Sequence, residues 1–101
     1  MNFIIETNEV YLLNENNEKI ARATFPFIKD DVININHVYV SKDLRGQGVA
    51  SKVMEQVYEL ALEKGYTVVN TCPYAVAWFE RHKDKQGIIN KEIHMDEACI
   101  I

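Results

Sequence analysis

The segment Leu44-Arg45-Gly46-Gln47-Gly48-Val49-Ala50 marks a change of pattern in this chain, and its reading decides the fold. Before it, apolar residues alternate; after it, they recur every three or four positions. Two glycines and a small alanine leave the backbone unshielded where a helix should begin. Such a terminus offers unpaired N–H groups and the positive end of the helix dipole, which together favour an anion. Glycine lets a phosphate approach those amides closely, because no Cβ stands in the way. Arg45 adds a formal charge at the same point. A lone Gly-x-Gly reads first as a plain strand-to-helix turn, so the surroundings must decide.

Upstream, Phe3-Ile4-Ile5 and Val10-Tyr11-Leu12-Leu13 are short β-rich runs joined by Thr7-Asn8-Glu9, which suits a tight hairpin. Asn14–Glu18 is turn-forming. Lys19–Ile28 then sets Ala21, Ala23, Phe25 and Phe27 on one face, with Pro26 predicting a bulge or an edge position. After Lys29-Asp30-Asp31, the run Val32–Val40 forms the longest predicted strand. Four antiparallel strands in meander order are expected.

Downstream, Val49, Val53, Met54, Val57, Leu60 and Ala61 line one face of a helix predicted over Gln47–Lys64. Glu55, Glu59 and Glu63 line the other face, and Gly65 stands where the helix should close. Tyr66–Thr71 follows as a strand. Pro73 opens a second helix, Pro73–Lys83, with Ala75, Trp78 and Phe79 on its apolar face. Strand–helix–strand order implies a right-handed crossover and a parallel pair between Val32–Val40 and Tyr66–Thr71. The fold class is therefore a mixed α+β sheet in one domain over residues 1–101. Beyond Gln86 the pattern is weak: Ile88-Ile89 and Cys99-Ile100-Ile101 read as short strand or packed tail.

Composition bounds the function. Hydrophobic residues at 48% and charged residues at 26% of 101 fit one ordinary globular domain. A net charge of −4, from 15 acidic and 11 basic residues, argues against nucleic-acid and anionic-membrane partners, which need a basic footprint. It is compatible with a cationic small substrate, although an acidic surface is most simply a matter of solubility. Cys72 and Cys99 form no disulfide framework and Met1–Thr7 is no secretory leader, so a cytoplasmic protein is expected, a monomer or weak dimer. No apolar run approaches the roughly 20 residues of a membrane span. No metal is expected.

Two familiar phosphate loops fit poorly. A dinucleotide fingerprint needs a third glycine or alanine where Ser51 stands, and follows a parallel rather than an antiparallel strand. The lysine and hydroxyl of a P-loop are absent. Among reactive residues, Cys72 stands at or just before the start of the second helix. A helix N-terminus favours anions, which makes its thiol a candidate nucleophile or proton donor; a small buried cap is the competing reading. His37 falls on the alternating face of Ile33, Ile35 and Tyr39, the company of a buried, hydrogen-bonded histidine. A bulge near the strand end would instead turn its imidazole toward the cleft.

Arg45, Gly48 and Ala50 fill the fixed positions of Gln/Arg-x-x-Gly-x-Gly/Ala, and the loop stands between a strand ending Val38-Tyr39-Val40 and an amphipathic helix. This resembles the acyl-CoA loop of the GNAT superfamily of N-acetyltransferases. With Asn36–Val40, Cys72-Pro73-Tyr74-Ala75 and Phe79-Glu80-Arg81-His82, the chain looks like a minimal single-domain branch, matched over roughly residues 3–83. The resemblance implies acetyl-CoA as acyl donor, an amine on a small molecule or protein as acceptor, and pyrophosphate binding by Arg45, Gly46, Gln47, Gly48, Val49, Ala50 and Ser51. It also implies pantetheine binding along Val38, Tyr39 and Val40.

His37 and Cys72 fall on family positions proposed to act in catalysis, and Tyr74 matches a tyrosine that protonates the leaving thiolate in larger relatives. A tyrosine packed against the sheet is the competing reading. Lys83 departs from the family, where proline is usual. Larger relatives insert helices after the first strand; here Thr7-Asn8-Glu9 alone connects the first two strands, so the acceptor side should be open. A CoA-binding module without turnover, or an unrelated α/β domain with a structural turn at Gly46–Gly48, remains the alternative.

Overall fold

The computed structural model describes residues 3–91. Seven strands and two helices follow in the order β1 (Phe3–Ile5), β2 (Glu9–Leu13), β3 (Lys19–Thr24), β4 (Phe27–Lys29), β5 (Val32–Ile35), β6 (His37–Val40), α1 (Val49–Lys64), β7 (Thr67–Asn70) and α2 (Pro73–Arg81). One sheet has the order β1-β2-β3-β6, all antiparallel; the other has β4-β5-β7, with β5 and β7 parallel. The mixed α+β class is as expected.

The two long strands read from the sequence are each broken, and at the same level. Lys19–Ile28 stops at Phe25-Pro26, where a proline cannot donate to the ladder. Val32–Val40 stops at Asn36. There the Asn36 amide bonds to the Thr24 carbonyl at 3.2 Å while His37 also stands opposite Thr24. Two residues opposing one is a β-bulge. The Thr24 hydroxyl closes it with a 2.7 Å bond to Asn36 Oδ1. The parallel pair is thereby confined to Val32–Ile35 beside Thr67–Asn70, shorter than the sequence pattern implied. Phe27 also leaves the predicted face: Ala21, Ala23 and Phe25 are fully buried, whereas Phe27 is exposed and packs edge-on against Tyr66.

Helix α1 lies across β2, β3 and β6. All six of its predicted apolar positions are buried, over Val10, Leu12, Ala21 and Ala23 of the sheet. Its first residue is Val49 rather than Gln47, because Gly48 is the N-cap, and Gly65 ends it in a left-handed conformation. Trp78 and Phe79 of α2 join the same core, and each such large apolar side chain contributes roughly 1.5–3 kcal/mol of burial. Helix α2 ends at Arg81, two residues earlier than expected, and Lys83–Ile88 continues as 3-10 turns. Ile88 is buried and Ile89 forms a parallel bridge to Val68, so this short stretch packs as one of the two expected ways. The Cys99-Ile100-Ile101 expectation lies outside the described residues. No helix among the described residues is long and apolar enough to cross a membrane.

Candidate active site

The break at Asn36 sends β5 and β6 into different sheets and leaves β6 at the edge of its own. The Ser41 amide donates to the Ile20 carbonyl at 2.8 Å, which fixes the phase of the antiparallel ladder. By alternation, His37 and Tyr39 direct their main-chain groups to β3, while Val38 and Val40 direct theirs to the open edge. The Val38 and Val40 side chains are half-buried against the core.

That edge runs directly into the glycine loop. A 3-10 turn over Lys42–Leu44 leads to Gly46 at φ +83° and Gly48 at φ +76°, both in the left-handed region that disfavours any side chain. The amides of Leu44, Arg45 and Gln47 are engaged within the loop, and that of Lys52 bonds the Gly48 carbonyl. Those of Gly46, Gly48, Val49, Ala50 and Ser51 have no backbone partner among the described residues. Four of these donors, from Gly48 to Ser51, belong to the N-cap and first turn of α1, the positive end of its dipole, and Gly46 precedes them in the loop. Arg45 is exposed, and its Nε donates back to the Val40 carbonyl at 3.2 Å. Gln47 Nε2 donates to the Asp43 carbonyl at 3.0 Å, closing the loop on itself.

Cys72 is the N-cap of α2 and only 8% exposed. Its amide and that of Thr71 both donate to the Ile35 carbonyl at 3.1 Å, the last bonds before the sheets diverge. The Thr71 hydroxyl donates to Asn34 Oδ1 at 3.0 Å across the same pair. Asn70 Oδ1, beside them, is the one buried side-chain polar atom without a partner among the described residues.

Tyr74 is half-buried against the core. Burial pushes its phenol above the usual tyrosine range, and the Arg81 guanidinium, 6.0 Å from the ring centroid, offsets part of that rise. His37 departs from the buried face on which simple alternation set it and follows the alternative of a bulge near the strand end. The bulge shifts the alternation by one, so Ile33 and Ile35 are buried while His37 and Tyr39 are exposed on the outer face. No hydrogen bond joins His37 to Cys72 among the described residues.

The family model for GCN5-related N-acetyltransferases matches residues 9–88. The chain belongs to that family. A GCN5-like protein of Staphylococcus aureus, solved in solution, shares 31% identity at a TM-score of 0.73, covering 92% of this chain and 91% of that one. Two larger proteins share the GCN5-related N-acetyltransferase fold at lower identity. Rv2747 of Mycobacterium tuberculosis, crystallised in complex with CoA, has 16% identity and a TM-score of 0.61, covering 93% of this chain and 59% of that one. The ribosomal-protein-S18-alanine N-acetyltransferase of Escherichia coli has 15% identity and a TM-score of 0.59, covering 79% and 51%. This chain therefore spans about half to three-fifths of the length of those two. Membership in the GCN5-related N-acetyltransferase family makes it an acyltransferase.

Set against that family, the sequence motif located the loop and both flanking elements. It did not reveal that Trp78 Nε1 donates to Ser51 Oγ at 2.9 Å, because the two residues lie on different helices. Lys19 and Arg22, which share the outer face with His37, were also missed. For Arg22 the signal was the alternation of β3, which sends it away from Ala21 and Ala23; Lys19 has the parity of those alanines and reaches the outer face only through the register shift between Leu12 and Leu13.

Proposed function

We propose that this chain transfers an acetyl group from acetyl-CoA to an amine. The observation that carries the reading is the continuity of two backbone surfaces: the β6 edge at Val38 and the Val40 amide, then the amides of Gly46, Gly48, Val49, Ala50 and Ser51, none with a backbone partner among the described residues. A pantetheine arm carries amides that suit a bare strand edge, and a pyrophosphate suits a dipole end whose first amides are without backbone partners.

In this reading the acceptor nitrogen attacks the thioester carbonyl carbon, and an N–H at the β6 edge steadies the resulting oxyanion. The carbon–sulfur bond then breaks. Tyr74, a phenol already protonated at neutral pH and pushed further up by burial, gives its proton to the departing thiolate. His37 takes the proton from the amine, directly or through water. Transfer is direct rather than through an acyl-Cys72, since Cys72 is buried and has no hydrogen-bonded base to activate it among the described residues.

Calorimetric titration with acetyl-CoA, followed by thiol release over amines and peptides, tests the proposal. Saturable binding with amine-dependent release is expected. Binding without release for any acceptor would leave a CoA-binding module; absence of binding would overturn the reading altogether.

A further inference from the structure

The outer face of the β1-β2-β3-β6 sheet holds a hollow of about 180 Å³ lined by Lys19, Arg22, His37 and Tyr39. The described helix α1 packs on the opposite face, over the alanines of β3. The register explains the grouping: Arg22 stands directly opposite Tyr39, and His37 is the next outward position along β6. No carboxylate of the described residues lines the hollow. The nearest is Glu9, which bonds the Lys19 ammonium at 3.1 and 3.0 Å, while that ammonium lies 4.3 Å above the Tyr11 ring. Lys19 and Glu9 therefore largely neutralise each other.

Arg22 is different. Its Nη1 is 3.8 Å from Glu9 Oε2, beyond hydrogen-bond length, and its side chain is 41% exposed. A guanidinium holds five N–H donors in a planar fork that matches carboxylate and phosphate oxygens. The hollow has room for roughly six waters, the scale of a small organic anion rather than a nucleotide.

We propose that the acceptor is an amine that also bears a carboxylate or phosphate group, with Arg22 gripping the anion while the amine reaches His37. The inference rests on the proposed acetyl transfer, in which His37 is the base, and it names the acceptor class for that site. The anion anchors the molecule through Arg22, beside the imidazole of His37 and the Tyr39 ring.

Matched amines at saturating acetyl-CoA test this: β-alanine against β-alaninamide for the carboxylate, and O-phosphoethanolamine against ethanolamine for the phosphate. At least one anionic member should exceed its neutral partner about tenfold or more in kcat/KM. Arg22→Met should bring that ratio near one and leave acetyl-CoA affinity unchanged, while Arg22→Lys restores only part of it, having charge without the fork. Equal or better turnover of both neutral members, or an unchanged ratio in Arg22→Met, would overturn the proposal.

If none of the four amines turns over, NMR titration of the wild type with β-alanine and with inorganic phosphate decides. Shifts of the Arg22 side-chain N–H and His37 ring signals, absent with β-alaninamide, are expected; no shift with either anion overturns the inference. Failure of acetyl-CoA to bind in calorimetry would instead sink the acetyl-transfer reading, and so separates the two.

Discussion

Trp78 Nε1 donates a 2.9 Å hydrogen bond to Ser51 Oγ, fastening α2 to the first turn of α1. An indole N–H can only donate, so the Ser51 oxygen accepts from it and its own proton is free for another acceptor. The buried indole is held on its other side by the His82 ring, stacked at 4.1 Å, whose Nδ1 donates to the Trp78 carbonyl at 2.7 Å. Ser51→Ala strands a buried donor and should lower unfolding stability by about 1–3 kcal/mol in urea titration. Trp78 is the only tryptophan, so its emission should shift in the same variant. Unchanged stability and emission would mean that the bond contributes nothing in solution.

Gly48→Ala separates two effects. A Cβ at Gly48 meets no atom within 4 Å, so packing does not oppose it. The left-handed backbone does, at about 1–2 kcal/mol, measurable as a fall in thermal stability. The methyl also shades the free amides, and acetyl-CoA should raise the melting temperature less than in the wild type. For comparison, ligand at about 100 times its Kd adds about 2.7 kcal/mol to a single-site binder. A full ligand-induced shift in Gly48→Ala would place the anion elsewhere.

The pH dependence of kcat tests Tyr74. Its phenol must be protonated to act as an acid, and burial raises its pKa above the ordinary value of about 10. Activity should therefore persist into alkaline solution and fall only above that range. Arg81 favours the phenolate, so Arg81→Ala should move the alkaline limb to still higher pH. Tyr74→Phe should remove the limb and lower kcat by about 100-fold, within the usual range for one proton-transfer group. An alkaline limb that stays fixed in both variants would exclude Tyr74 as the acid.

Cys72→Ala tests the route of transfer. Removing one buried heavy atom should cost about 1 kcal/mol in stability, while kcat stays within about threefold of the wild type. Mass spectrometry of the wild type after acetyl-CoA alone should show no acetyl group on Cys72. An acetylated Cys72, with activity abolished by the substitution, would establish an acyl-enzyme instead.

Local signals carried most of the fold. The spacing of Val49, Val53, Met54, Val57, Leu60 and Ala61 marks α1, and Gly48, Gly65 and Pro73 mark element ends within one or two residues. A bulge near the end of this strand was only the alternative reading and its position at Asn36 was not legible, because Ile33, Ile35, His37 and Tyr39 alternate as one strand would. What breaks the strand is a pairing with Thr24, twelve residues away and invisible to periodicity. That single inserted residue decides which face His37 occupies, so of the two placements the sequence left open for the histidine the buried one does not hold. The Trp78–Ser51 bond was hidden for the same reason: its partners meet only after both helices have packed.

The broken hairpin also bears on how the chain behaves alone. A strand edge on which the Val38 main-chain groups and the Val40 amide have no partner among the described residues is a template for any other extended backbone, including that of a second copy. In the proposed complex the ligand occupies the place of a missing strand and so acts as a guard against sticking. Empty protein should then associate more readily than loaded protein, and the four-residue length of β6 limits how far such pairing can spread.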